Sequence, residues 1–226
     1  MKKPVIITLF LSLFLVFAGC DSTTTDGHTN VDSVAAADSI AWSHSLESLL
    51  QIPNEQELRT RFGKDAVKFD TIWGAEGFFT MGTVLKTEPE SRIEITWSNE
   101  ETKTGIVSVT QVSDSDWYGD TIPSGKWKSA TGVLLGLSIE QLEKVNNRPF
   151  TFSGFGWDYA GSVIDWKKGA LEGKGIAVQL AEGPTDEDLS DSEATSVLGD
   201  VLLQSDNPTA RKFHPRVWSI SVAKIQ

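Results

Sequence analysis

Six residues constrain this chain more than any others. The run Arg92-Ile93-Glu94-Ile95-Thr96-Trp97 alternates strictly, so Ile93, Ile95 and Trp97 share one face and Arg92, Glu94 and Thr96 the other. A period of two marks a half-buried strand and commits the segment to a sheet packed on one side. Runs of similar character surround it. Residues 67–73, 78–85 and 106–112 read as neighbouring strands, separated by turn-forming stretches at 74–77, 87–91 and 99–105. Further on, 149–157, 162–166 and 175–180 read as strands. Residues 216–225 close the chain, with Trp218, Ile220 and Val222 expected on one face.

Two helix starts interrupt the strands. Asn54 stands three residues before Glu57, with Leu58 and Phe62 on one face and Gly63 as the stop. Ser138 stands three residues before Gln141, where Leu137 and Leu142 can staple the first turn and Leu142 with Val145 forms a short apolar stripe. Residues 131–135 lead into this helix, and Asn146-Asn147 followed by Arg148-Pro149 ends it. The pattern predicts an α+β fold, mostly antiparallel sheet with two short capped helices. Because a helix precedes strands twice, the order allows two tandem units, 46–112 and 131–226, joined by a connecting loop at 113–130.

The string Gly136-Leu137-Ser138-Ile139-Glu140-Gln141-Leu142, followed by Asn147-Arg148-Pro149-Phe150, resembles the helix-then-hairpin repeat of the beta-lactamase inhibitor protein family. It is also similar to the small lipoprotein of the outer-membrane barrel-assembly machinery. The resemblance covers residues 136–180, and Asn147 stands where those repeats usually carry glycine. It implies a layered α+β fold whose sheet binds other proteins. It assigns no functional residue.

The N-terminus carries a different message. Lys2 and Lys3 precede an uncharged stretch at 5–18, then Ala18-Gly19 and Cys20, the only cysteine. The apolar stretch is too short to span a bilayer, which takes about 20 residues. Residues 1–20 resemble a bacterial lipoprotein signal peptide ending at a lipidated cysteine. Phe17 stands where such signals more often have leucine. The alternative is an ordinary secretory signal cut farther along. The resemblance implies a cell-envelope protein held to a bacterial membrane by acyl chains such as palmitate. Asp21 resembles an inner-membrane retention signal of enteric bacteria, a rule other bacteria do not follow, so inner or outer membrane stays open. With Cys20 modified, the body must hold together without a disulfide. Residues 21–45, rich in Ser, Thr, Asp and Ala, read as a flexible tether with a reach of roughly 25–30 Å.

Removing residues 1–20 takes two lysines and no acids from a net charge of −11, leaving −13. Phosphate backbones would repel such a chain, so nucleic acid is not an expected partner. Basic ligands or divalent cations suit the charge better, but plain solubility is the preferred explanation of it.

Several strings bear on chemistry, each with a bland alternative. Gly154-Phe155-Gly156-Trp157-Asp158-Tyr159-Ala160-Gly161 places aromatics beside a carboxylate, a combination that can stack on a sugar while Asp158 accepts its hydroxyls. The same string fits a tight hairpin, with Phe155, Trp157 and Trp166 filling the core and Asp158 bonding in the turn. Asp114-Ser115-Asp116-Trp117-Tyr118-Gly119-Asp120 starts like a calcium loop but lacks the oxygen ligands an EF-hand needs at Tyr118 and Gly125. An irregular site using backbone carbonyls stays open. Gly125-Lys126-Trp127-Lys128-Ser129 is no phosphate loop, since the upstream glycine is Asp120. Residues 182–193 read as a long acidic loop.

The three histidines are His28 and His44, in or beside the tether, and His214, which reads as a turn before the last strand. They form no zinc set, and no serine elbow accompanies His214. Most of the eight tryptophans fall at strand positions. Trp42, Trp117 and Trp127 do not, which makes Trp117 and Trp127 candidate binding residues alongside Trp157, Asp158 and Tyr159. No catalytic residue, metal ligand or cofactor is expected. The leading expectation is a non-catalytic, lipid-anchored envelope protein that binds a partner protein. The alternatives are a glycan-binding lipoprotein and a hydrolase using two carboxylates in a cleft.

Overall fold

The alternating run becomes the centre of the molecule. A computed structural model describes residues 44–114, 125–185 and 189–225. Cys20, the segment at 5–18, the tether up to residue 43 with His28 and Trp42, and the calcium-like residues from Ser115 to Asp120, Trp117 included, lie outside the described residues.

Six strands form one antiparallel sheet in the order β1-β2-β3-β4-β9-β7. They are β1 (Val67–Trp73), β2 (Phe79–Glu88), β3 (Ser91–Asn99), β4 (Thr104–Ser113), β7 (Ile176–Ala181) and β9 (Arg216–Ala223). Three short strands, β5 (Thr151–Ser153), β6 (Val163–Asp165) and β8 (Leu202–Gln204), form a second sheet in the order β6-β5-β8. The α+β class with mostly antiparallel sheet is what the sequence pattern predicts.

Ile93, Ile95 and Trp97 all face the core, as their spacing requires. Val67, Leu85, Val109, Val178, Ile220 and Val222 join them on that face. Leu46 and Leu49 of α1 (Leu46–Leu49), Leu58 of α2 (Glu55–Phe62) and Ile139 and Leu142 of α3 (Ile139–Asn146) belong to the same apolar cluster, with Phe152 of the small sheet and Phe150 just before it. Side chains of this size contribute roughly 1.5–3 kcal/mol each on full burial.

Both expected helices form where their caps place them. The Asn54 side chain accepts from the Glu57 N–H at 2.8 Å, and Gly63 ends the helix at φ 88°. Glu57 completes no reciprocal bond. Its carboxylate pairs with Arg61 instead. Ser138 and Gln141 form a full capping box, and Asn147 ends α3 in the left-handed region at φ 62°, ψ 12°. Asparagine tolerates that conformation better than most residues, so it does there what glycine usually does.

Strands from both expected units share one sheet: β9 pairs with β4 along residues 219–223, and Thr110 Oγ1 lies 3.1 Å from Ser221 Oγ. Next to the expected tether, the Leu46 N–H donates to the Lys128 carbonyl and the Lys128 N–H to that of His44, both at 2.9 Å. Two expectations need correction. Residues 182–193 are not all loop. Ser190 and Glu193 form a capping box that starts α4 (Asp191–Ser196). Trp218 does not continue the core face. Gln179 pairs with Ser219 and the next residue, Leu180, with Val217, so Trp218 is the extra residue of a bulge. Val217 is buried in its place and Trp218 is half-buried. The remaining helix, α5 (Pro208–Arg211), is one turn capped by Asn207.

Candidate functional site

The glycine-aromatic string joins β5 to β6 and is held from both sides. Phe155 is buried and stacks on Phe213 at 5.6 Å, while Phe152 packs at 5.6 Å on its other neighbour side. The Ser153 N–H donates to the Ser162 carbonyl at 2.9 Å, and the Leu180 N–H donates to the Gly161 carbonyl at 2.9 Å. Gly156 and Gly161 adopt φ 79° and 68°, which a side chain would oppose. With its backbone so fixed, the loop presents Trp157, Asp158 and Tyr159 outward. Trp157 is half-buried, and its Nε1 donates to the Gly154 carbonyl at 2.9 Å. Tyr159 packs edge-on to Trp157 with ring centres 5.4 Å apart. Asp158 does not bond within its own turn. Its Oδ2 accepts the Glu76 N–H at 3.0 Å, which ties this loop to the tip of the β1–β2 hairpin.

That tie closes a cleft of about 650 Å³. Trp73, Gly74 and Ala75 come from the hairpin tip, and Trp157, Asp158 and Tyr159 from the loop. Gln179 of β7, Trp218 of the β9 bulge and Ser162 also line it. Gln179 Nε2 donates to the Ala160 carbonyl at 3.0 Å, so its amide is oriented. The lining contains one carboxylate, Asp158. Two-carboxylate hydrolysis requires a pair about 5–10 Å apart, which the described residues lining this cleft do not supply.

Beside the cleft stands an aromatic face that is exposed among the described residues. In the β1–β2 register Val67 faces Leu85, Phe69 faces Thr83, Thr71 faces Met81 and Trp73 faces Phe79. Alternation puts all of these on one face. Its first part, Val67, Leu85 and Thr83, is buried. Past it the hairpin outruns the core, and Phe69, Trp73, Phe79 and Met81 are 57, 62, 60 and 48 % exposed. Phe78, in the turn, is 71 % exposed. Trp73 and Phe79 pack together at 5.5 Å, and Lys103 Nζ sits 5.2 Å from the centre of the Phe69 ring. β1 is also an edge strand of the sheet.

Of the sequence-derived candidates, the structure brings Trp157, Asp158 and Tyr159 into one cleft. Trp127 is elsewhere and is not a surface residue, being 2 % exposed. Its Nε1 donates to Thr87 Oγ1 at 2.9 Å, and His44 packs edge-on to it at 5.4 Å. The cause lies next door. The buried Glu88 carboxylate accepts the Lys126 N–H and the Ser91 hydroxyl, each at 2.9 Å, and draws the 125–128 segment inward. Trp73, Gln179 and Trp218 were not among the sequence candidates. The one available signal was the pair of aromatics, Phe69 and Trp73, at even spacing in β1.

A second cleft, of about 680 Å³, lies along α2 and the 101–104 turn, where Arg59 pairs with Glu55 and Lys103 with Glu100. Of its charged groups, Glu55, Glu57, Arg59 and Lys103 are held in ion pairs. Among the described residues no group of three or more His, Cys, Asp or Glu is placed to hold a metal ion. Set against known proteins, the chain matches no family model, no curated protein and no solved structure.

Proposed function

We propose that this chain is a lipid-anchored cell-envelope protein that acts without catalysis, by docking a partner protein on its β1–β2 hairpin. The observation that carries the reading is the core face of the sheet running out past the core and standing exposed among the described residues. Phe69, Trp73, Phe79 and Met81 then stand exposed on one face of one projecting element, with Phe78 exposed in its turn. Single exposed apolar residues are ordinary, but a cluster of aromatics is the composition of an interface centre. The anchor is supported by residues 1–20, and the tether would hold the hairpin away from the bilayer. Nucleic acid does not fit the charge.

The test is site-specific photocrosslinking in intact cells. A photoreactive residue at Phe79 or Met81 should give a discrete adduct with one envelope protein. The same group at Leu202, an exposed apolar position on β8 in the other sheet, should give none. Identical adducts from both places, or none from the hairpin, would overturn the reading.

A further inference from the structure

The cleft at the hairpin tip differs in chemistry from the hairpin face, with which it shares only Trp73. Four aromatic side chains, Trp73, Trp157, Tyr159 and Trp218, surround a carboxylate, an amide and a hydroxyl, those of Asp158, Gln179 and Ser162. We infer that this cleft binds a neutral glycan of a few pyranose units.

Each part of the lining has a use in that ligand. A pyranose ring carries an apolar C–H face that packs flat on an aromatic ring, and its edges carry hydroxyls. A carboxylate accepts about four hydrogen bonds. Asp158 uses one on the Glu76 N–H, which leaves the rest for hydroxyl donors. Gln179 is fixed by its bond to the Ala160 carbonyl, which leaves a second N–H and a carbonyl oriented for a ligand. A volume of about 650 Å³ sits inside the range of small-ligand sites, roughly 300–1,000 Å³. The walls are also held in place before any ligand arrives, by the Glu76–Asp158 bond on one side and the Gly161–Leu180 pairing on the other. Such preorganisation lowers the cost of binding.

Charge narrows the class. A carboxylate in the cleft of a protein with net charge −11 opposes uronic acids and phosphorylated sugars. An organic cation would suit the charge and the rings. A quaternary ammonium, however, offers no hydrogen-bond donor and would leave Gln179 and Ser162 without a role. The volume is also large for so compact a group.

The test uses the purified full-length chain in detergent, titrated with chitotetraose, cellotetraose and maltotetraose and, separately, with choline and arginine. Heat release and tryptophan fluorescence report binding. The expected result is saturable binding of at least one neutral tetrasaccharide. Tyr159→Ala, at an exposed ring, should weaken it tenfold or more, and Asp158→Asn, which keeps an acceptor for Glu76, severalfold. Leu202→Ser, far along the chain on β8, should leave it unchanged. Circular dichroism spectra matching wild type separate loss of the site from loss of the fold. No saturable binding of any neutral sugar, binding indifferent to Tyr159→Ala, or binding of the cations alone would overturn the inference.

Discussion

Gly161 lies against Leu180 so closely that a side-chain carbon on Gly161 would stand 1.9 Å from the Leu180 carbonyl oxygen. The obstacle is backbone inside a sheet strand, not a side chain that can swing away. The contact is where the cleft loop is pressed onto β7, and the residue also sits at φ 68°. Both features demand glycine.

Gly161→Ala should therefore destabilise the chain by about 2–4 kcal/mol, from the displaced strand plus the left-handed conformation. Urea denaturation followed by tryptophan fluorescence measures it. A variant within about 0.5 kcal/mol of wild type would mean that the loop can lift off β7, and the cleft geometry would then need revision.

Trp127, read from the sequence as a loop residue, and Trp73, at a strand position, should behave oppositely. Trp127→Ala removes a side chain that is 2 % exposed and hydrogen-bonded to Thr87, and should cost about 3–5 kcal/mol. Trp73→Ala trims a ring that is 62 % exposed, and should cost under about 1 kcal/mol. Thermal melts of the two variants decide it. Equal losses would show that the hairpin is packed against more of the domain than its exposure indicates.

The contrast between those two residues marks what sequence can tell. Local rules read well: the alternation of β3, the Asn54 and Ser138 caps and the ends of β1 all rest on interactions within a few residues. Short elements with equal or weaker local signal, such as α4 behind Ser190 and α5 behind Asn207, hid inside polar stretches. What no local rule supplies is which face finds cover. Phe69 and Trp73 share the face of Val67, and only the length of the hairpin relative to the core leaves them exposed. Trp127 is buried because Glu88, some 40 residues earlier, draws its segment inward. Trp157, Asp158 and Tyr159 were legible as one string, whereas Trp218 reached the cleft through a bulge set by pairing with β7.

Glu193 gives a pH-dependent test of α4. Its carboxyl is held at about 2, below an unfolded value of 4.5, by hydrogen bonds from the Ser190 side chain and backbone, with Lys212 adding to the effect. A depressed carboxyl contributes stability that is present above pH 4.5 and lost as pH falls toward 2. Glu193→Gln should speed amide exchange in α4 at neutral pH, and the difference from wild type should shrink as pH drops through that window. Because the group is exposed, the effect belongs to local opening of the helix and not to the global fold. A difference that does not change with pH would assign the cap to hydrogen bonding without charge.

Cys20→Ala tests the proposed anchor apart from the folded domain. No described helix is long and apolar enough to cross a membrane. Acyl chains contribute about 0.8 kcal/mol per buried CH₂, and one chain alone binds only marginally, so stable attachment needs several on the same residue. In the variant the protein should move from the membrane pellet to the soluble fraction, and labelled palmitate should no longer be incorporated. The Phe79 and Met81 crosslinks to the partner should become weaker in the same cells, because a tethered domain meets an envelope partner at a higher effective concentration than a free one. Retention in the pellet with no label would end the lipid-anchor proposal and leave the hairpin itself as the surface that holds the protein there.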